Sequence, residues 1–202
     1  MTPLQTRVMG WYQRLRIAKF RFLSDCPNVE GNPTLRQPVQ FIGKGTIRFN
    51  GNVVLGWFPS AGFLNGYIYM EARSPSSIIQ IEDGVCMNNN TTLVSDGPGI
   101  FIGKGSMIGS HCEIIDSDFH DLHPDRRKDG VAKMGKVEIA ENVLIGSNVK
   151  ILKGVRIGKN AIIANGSVVT RSIPENAVAF GNPARAGFGL MPEESPQAAA
   201  RP

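Results

Sequence analysis

Apolar residues recur at a strict spacing of six along the second half of the chain. A second set of apolar or small residues stands four positions after each member of the first set, so two side chains in every six point inward. Neither the 3.6-residue period of a helix nor a simple alternating strand explains this spacing, and a hairpin sandwich gives no reason for it. Short strands that coil through tight corners do explain it. The first set is Ile139, Ile145, Ile151, Ile157, Ile163 and Val169; the second is Val143, Val149, Val155, Ala161 and Ser167.

The same spacing appears earlier in the chain, although it is interrupted twice. Looser matches begin at Ile42, and a short break falls at 96–99. We therefore predict one all-β solenoid domain over 31–185, followed by a loosely ordered polar tail at 186–202. The earlier members are Ile81, Met87, Leu93, Ile102, Ile108 and Ile114.

An amphipathic helix is predicted within residues 1–30, before the repeats begin. Thr2 suits the N-cap and Pro3 the first helical position. Apolar residues then fall at alternating spacings of four and three, which forms one face. We expect this face to cap the end of the solenoid; binding of a membrane surface is the alternative, because basic residues accompany it. The apolar face is Leu4, Val8, Trp11, Leu15, Ala18 and Phe22, and the basic residues are Arg7, Arg14, Lys19 and Arg21.

Composition and charge narrow the class of protein. The chain has 202 residues, 42% hydrophobic and 19% charged, which suits one turn-rich β domain. Its 22 Lys and Arg exceed 17 Asp and Glu, but they are spread without interleaved aromatics, so nucleic acid is not predicted as a partner. Three cysteines without a CxxC pair favour a reducing compartment. No run is long enough to span a bilayer, so we expect a cytoplasmic protein, at most peripheral to the inner face of the membrane.

A loop at 116–136 interrupts the repeats and contains two of the three histidines. Long excursions from a rigid scaffold often carry function. His120 stands at the end of the last strand before the loop, where the coil would hold it rigidly. If the strand continues, Asp118 lies on the same face and would fix the imidazole tautomer. His123 is interpreted as a solvated loop residue or an acceptor contact.

The repeat motifs resemble those of the hexapeptide-repeat acyltransferases, over roughly residues 40–185. The similar segments are 145–149, 157–161 and 166–170. This resemblance implies a left-handed parallel β-helix that assembles as a homotrimer. It also implies transfer of an acetyl group from acetyl-CoA to a hydroxyl or amine of a sugar or related small acceptor. The expected context is surface polysaccharide biosynthesis, and no metal is implied.

The loop is similar to that of the maltose and galactoside O-acetyltransferase branch, which assigns roles to individual residues. His120 matches the catalytic base, although Asp121 replaces the proline that normally follows. Asn88 and Asp96 match residues that contact the acceptor, but Asn89 and Asn90 are adjacent alternatives to Asn88. Leu144 stands where those enzymes have an aromatic residue.

The resemblance also predicts where coenzyme A binds. Backbone groups near Gly146, Ser147 and Asn165 would hold the pantetheine arm, and Arg171 and Arg185 match basic positions that face the phosphates. The implied chemistry is direct transfer, with His120 as general base. Cys112 occupies an inward repeat position, so a cysteine acyl-enzyme is not expected.

Two other functions remain open from the sequence. One is a metalloenzyme that resembles the γ-type carbonic anhydrases, which bind zinc through three histidines; the spacings of His111, His120 and His123 do not match that family. The other is a non-catalytic module that binds a membrane surface through the N-terminal helix.

Overall fold

The computed structural model describes residues 1–189 as one helix followed by a three-sided coil of short strands. Helix α1 spans Pro3–Phe22, and one turn of 3₁₀ helix spans Pro124–Arg126. The first ten strands are β1 Asn28–Glu30, β2 Thr34–Leu35, β3 Val39–Gly43, β4 Thr46–Phe49, β5 Val54–Leu55, β6 Ile68–Ala72, β7 Ile78–Ile81, β8 Cys86–Met87, β9 Thr92–Ser95 and β10 Ile100–Ile102. The others are β11 Met107–Ile108, β12 Glu113–Ile115, β13 Val137–Ile139, β14 Leu144–Ile145, β15 Lys150–Ile151, β16 Arg156–Ile157, β17 Ile162–Ile163, β18 Val168–Val169, β19 Ala177–Gly181 and β20 Ala184–Gly189.

Every third strand joins the same sheet, which produces three sheets around one core. Sheet A has the order β1-β4-β7-β10-β13-β16, sheet B has β2-β5-β8-β11-β14-β17-β19-β20, and sheet C has β3-β6-β9-β12-β15-β18. All pairs are parallel except the last, β19 with β20. The pairing of Ile139 with Ile157 and of Ile145 with Ile163 gives a coil of 18 residues, which is three hexapeptides. The predicted all-β solenoid is confirmed.

The residues at the six-residue spacing form the core. Ile145, Ile151 and Ile157 are fully buried, and so are Ile81 and Met87 in the earlier coils. Each such side chain contributes about 1.5–3 kcal/mol relative to exposure. The inward positions therefore stack across coils in continuous ladders, and this stacking explains the strictness of the repeat.

Asparagines make several of the corners. Asn142, Asn148 and Asn160 adopt positive φ angles of 55°, 58° and 59°, a region that asparagine enters more readily than other side chains. Asn142 Nδ2 donates to Asn160 Oδ1 at 3.0 Å, and Asn160 Nδ2 donates to Asn176 Oδ1 at 2.8 Å. One corner of three successive coils is thus tied by side-chain amides.

Two excursions leave the coil. The first excursion, 56–67, lies between β5 and β6, and the second, 116–136, lies between β12 and β13. The sequence indicated the second but not the first, because the repeats before Ile81 are too irregular to show an insertion.

Helix α1 begins as predicted, but it packs through an unexpected face. Thr2 accepts from the Gln5 backbone amide and completes a capping box. The buried Gln13 donates through Nε2 to Phe63 O at 2.9 Å, and Arg16 donates to the same carbonyl at 2.9 Å. The prediction that the apolar stripe packs on the solenoid is wrong. The polar side chains face inward because the carbonyls of the first excursion lie outside any strand and need donors.

The end of the described chain continues sheet B. Residues 186–189 belong to β20, which pairs with β19; the rest of the predicted tail, 190–202, lies outside the described residues. In the described part, no helix is both long and apolar enough to cross a membrane.

Candidate active site

The buried carboxylate of Asp116 holds the start of the second excursion in place. Asp116 is fully buried and accepts from Ser95 Oγ at 2.7 Å, from Asp96 N at 2.8 Å and from Gly99 N at 2.9 Å. Gly97 N also donates to it. These bonds hold the 96–99 break against the start of the loop. Asp96 is therefore placed rigidly beside the excursion that carries the histidines.

The backbone turns sharply immediately before His120. Phe119 has a φ of 60°, which is an unusual conformation for a bulky residue. Its amide donates to Ser117 Oγ at 2.9 Å, and the Arg73 guanidinium lies 4.6 Å from its ring centroid. Arg73 is in turn held by Glu71, with 2.7 Å between Nε and Oε1. This stacking stabilises the turn that directs His120.

The imidazole of His120 is exposed and has one oriented hydrogen bond. Its Nδ1 lies 3.1 Å from the carbonyl oxygen of Arg127. A carbonyl oxygen accepts but never donates, so Nδ1 carries the proton and Nε2 keeps a free lone pair. That is the tautomer a general base requires.

Asp118 does not orient His120, contrary to the prediction. Its Oδ1 lies 2.6 Å from Lys153 Nζ, one coil further along. Its Oδ2 is buried and has no hydrogen-bond partner in the described part of the chain. The residue before His120 adopts a left-handed conformation, so the strand does not continue and the two side chains do not share a face.

His123 has a local role in the loop. It caps the 3₁₀ turn, where its Nδ1 accepts from Asp125 N at 3.3 Å. Asp121 accepts from His123 N at 2.8 Å and from Arg126 Nε at 3.0 Å. The hydrogen bond from the His123 amide, with that from Arg126, lowers the pKa of Asp121. Asp121 thus replaces the expected proline as the element that shapes this turn.

Asp96 contacts polar side chains of the preceding coil. Its Oδ1 accepts from Ser74 Oγ at 3.1 Å, and its Oδ2 lies 3.9 Å from Arg73 Nη1. Arg73 therefore links Asp96 with Phe119. Asp96 and His120 lie at the same corner of the three-sided coil, where the chain passes from sheet C to sheet A.

Asn88 lies at a different corner, in a cleft of about 340 Å³ on the face of sheet B. Asn89 and Asn90 face away from this cleft. Asn89 is fully buried and exchanges hydrogen bonds with the Trp57 backbone, and Asn90 accepts from Gln37 Nε2. Both hold the first excursion. The cleft is lined by Trp57, Cys86, Asn88, Met107, Ile108, Gly109, Leu144, Ile145, Gly146, Ser147 and Asn165.

Trp57 is the residue that sequence reasoning missed in this cleft. Leu144 stands at the position where an aromatic was expected, yet Trp57 from the first excursion brings an indole to the same cleft. The Arg36 guanidinium lies 4.9 Å from the ring centroid, and the residue is 43% exposed. The lone tryptophan in an irregular segment was its only signal in the sequence.

The three residues predicted to hold the pantetheine arm lie together along this corner. Ser147 N donates to Asn165 Oδ1 at 2.7 Å, and Ser147 Oγ accepts from Ser110 N at 3.2 Å. A Cβ added to Gly146 would lie 2.3 Å from Asn165 Oδ1. Gly146, Ser147 and Asn165 therefore build a close-packed wall of the cleft.

The two arginines predicted to face phosphates are both exposed, at separate places. Arg171 follows β18 at the corner that holds His120, two coils beyond Asp116 and so roughly 10 Å along the axis. Arg185 lies in β20 opposite Phe180, and its Nη1 donates to Ala184 O at 3.0 Å.

Within one chain, the predicted site residues thus form two groups at two corners. Six residues separate Ser110 at the cleft corner from Asp116 at the histidine corner. An extended segment of that length spans at most about 20 Å, and the turn at His111, which has a φ of 58°, shortens it. Asn88 and His120 of a single chain therefore stand at different corners of the coil.

The repeat itself matches a known family model. Residues 136–171 match the model described as bacterial transferase hexapeptide (six repeats). This segment of the chain therefore carries the hexapeptide repeat.

The relatives of this chain include two galactoside O-acetyltransferases. That of Lactococcus lactis is 49% identical over 100 residues, which are 50% of this chain and 47% of the relative. That of Escherichia coli is 38% identical over 112 residues, 55% of this chain and 54% of the relative. The hexapeptide-repeat chain spans about half the length of the curated relatives it matches.

A solved structure supports the fold of the hexapeptide-repeat chain. AntD, an N-acyltransferase from Bacillus cereus in complex with dTDP and 3-hydroxybutyryl-CoA, superposes with a TM-score of 0.58 at 22% identity. The match covers 88% of each chain. The predicted left-handed parallel β-helix is confirmed.

The cysteines of the hexapeptide-repeat chain are poor nucleophiles. Burial raises the pKa of Cys112 to about 11, and burial also raises the pKa of Cys86, in the cleft. Both therefore stay protonated near neutral pH, and the thiolate is the reactive form.

Among residues 1–189, no group of three or more His, Cys, Asp or Glu is arranged to hold a metal ion. His111 lies at the cleft corner beside Asn90, 2.9 Å from its Nδ2, away from His120 and His123.

Proposed function

We propose that this chain is an acetyltransferase that moves an acetyl group from acetyl-CoA to a hydroxyl, or an amine, of a sugar or related acceptor. The orientation of His120 is the observation that carries the proposal. Its Nδ1 lies 3.1 Å from the carbonyl oxygen of Arg127 and donates to it, so its Nε2 is available to take a proton.

His120 handles one proton through the whole reaction. Nε2 takes the proton from the acceptor O–H or N–H as that atom forms a bond to the thioester carbonyl carbon. The C–S bond then breaks, and the protonated Nε2 returns the proton to the departing sulfur. The Arg127 carbonyl stabilises the imidazolium between the two transfers. No acyl-enzyme is needed, which agrees with the raised pKa of Cys112.

The face of sheet B suits the long, largely apolar arm of coenzyme A. Outward side chains pair across successive coils and present an apolar ladder. The coils stand about 4.8 Å apart, so the ladder is a narrow strip parallel to the axis. Arg171 and Arg185, in the last coils, would meet the phosphates. The ladder consists of Cys86, Met107, Leu144 and Ile162.

The separation of the two corners supports a homotrimer with its sites between copies. The histidine corner of one copy would face the sheet B cleft of its neighbour, so that His120 and Asn88 come from different chains. A heterologous interface that closes into a ring brings two different surfaces together in this way. Asp96 and His123 would reach the acceptor from the histidine side.

A sugar is the acceptor class that the cleft supports. The ring of Trp57 offers a stacking surface, and Asn88 offers an amide that both donates and accepts. Two relatives are named galactoside O-acetyltransferases, which favours a hydroxyl as the acceptor group. AntD is an N-acyltransferase, so an amine is the alternative acceptor group. We place the reaction in the cytoplasm, where acetyl-CoA is available, and in the biosynthesis of a surface polysaccharide.

The test is thiol release from acetyl-CoA with a panel of acceptors. Free sugars, amino sugars and nucleotide-linked sugars are each incubated with the protein, and the acetylated product is identified by mass spectrometry. We expect release that depends on both acceptor and protein and that disappears with His120→Ala. Binding of acetyl-CoA without transfer to any acceptor, or equal release by His120→Ala, would contradict the proposal.

A further inference from the structure

Helix α1 has two opposite faces, and only one contacts the rest of the chain. On the inner side, Gln13 is buried and the ring of Phe20 lies 4.5 Å from that of Tyr67. At about 100° per residue, Trp11 lies on the far side of the helix from Gln13. The outward face is large, apolar and exposed: Leu4 is 71% exposed, Val8 56%, Trp11 64%, Leu15 50% and Phe22 87%.

Positive charge borders this outward face. Arg7, Arg14 and Arg21 recur every seven residues, so they line one side of it, and Lys19 lies on the other. The helix contains no Asp or Glu. Among the described residues, none of these four cations forms an ion pair with a carboxylate.

The apolar surface continues beyond the helix. A groove of about 560 Å³ runs between the first half of α1 and the first excursion. Its walls include Leu4, Val8 and Tyr12 from the helix and Phe58 and Leu64 from the excursion. Tyr12, beside this groove, combines an apolar ring with a polar hydroxyl, which suits a boundary between hydrocarbon and water.

We propose that the outward face of α1 binds the surface of an anionic lipid bilayer, with the helix lying in the plane of the interface. An apolar stripe with cations on both flanks matches acyl chains below and phosphate headgroups beside them. A contact of this face with the same face of a second copy would place cations against cations, which disfavours such an isologous contact as its occupant. The inference goes beyond the proposed transferase activity and does not depend on it.

The experiment measures binding of the full chain to vesicles. Vesicles of phosphatidylcholine alone are compared with vesicles that contain phosphatidylglycerol, by co-sedimentation. We expect binding only with the anionic lipid and a loss of binding at high salt. The triple variant Arg7→Gln, Arg14→Gln, Arg21→Gln should bind about 100-fold more weakly, since each cation contributes roughly five-fold. The matched control Lys44→Gln, Lys104→Gln, Lys159→Gln should bind like the wild type.

The depth of the helix gives a second readout. In a Trp57→Phe background, Trp11 is the only tryptophan, and its emission should shift to the blue and be quenched by lipids brominated along the acyl chain. All the altered helix side chains are exposed, so circular dichroism should show an intact fold. No binding to anionic vesicles, an equal loss in the control, or an unquenched Trp11 would overturn the proposal. A change in subunit number on Trp11→Ser with Leu15→Ser would do so too, because another copy would then cover the face.

Discussion

Two inactive variants should restore activity when they assemble together, if each site is shared between copies. His120→Ala removes the base from one corner, and Asn88→Ala removes an acceptor contact from the other. The two residues stand at different corners of one chain, so each proposed composite site needs one intact corner from each of two neighbours. In a trimer that contains both variants, one of the three interfaces, or about a third of the wild-type sites, combines both intact residues.

The assay coexpresses the two variants with different affinity tags and purifies the mixed assembly through both. Asn88→Ala alone should keep about a tenth of the activity or less, from loss of one hydrogen bond in the transition state, and His120→Ala should keep far less. The two variants purified separately and then mixed without subunit exchange are the control. Recovery no greater than this control would refute the shared site, because a site within one chain is never repaired by a neighbour.

Three further results are expected from single regions of the structure. Arg171→Ala with Arg185→Ala should raise KM for acetyl-CoA with less effect on kcat, as for a remote phosphate contact; an unchanged KM would move the phosphate site elsewhere. Asp116→Ala should lower the free energy of unfolding by about 2–5 kcal/mol, because several buried donors lose their acceptor. Chemical denaturation that shows no change would contradict the role given to this carboxylate. Ile145→Ala should cost about 2–5 kcal/mol in the same measurement, as a cavity in a continuous ladder; an exposed residue such as Lys104 provides the neutral comparison.

The fold could be predicted from the sequence wherever each coil obeys the six-residue spacing. Ile139 to Val169 repeat without interruption, and packing of identical layers leaves little alternative. The first excursion could not be predicted, because irregular early repeats conceal an insertion. The packed face of α1 was predicted wrongly for a related reason: Gln13 turns inward to meet carbonyls of that same excursion.

Individual candidate residues could be proposed from the sequence, but their contacts could not. His120 was proposed from its predicted place at the end of a strand, yet its partner is a backbone carbonyl seven residues later, which no side-chain pattern reveals. The run of three asparagines could not be resolved either, since only burial separates Asn89 from Asn88. Trp57 and Arg73 act from other coils, and their contacts depend on how the coils stack.

The most direct test of the central claim compares the two loop histidines in steady-state acetyl transfer. Removal of a general base typically costs about 10²–10⁴-fold, so His120→Ala should lower kcat by that order while the affinity for coenzyme A stays nearly unchanged. His123→Ala should lower kcat far less than His120→Ala, because His123 caps a turn and takes no proton in the proposed mechanism. An inactive His123→Ala beside an active His120→Ala would contradict the account.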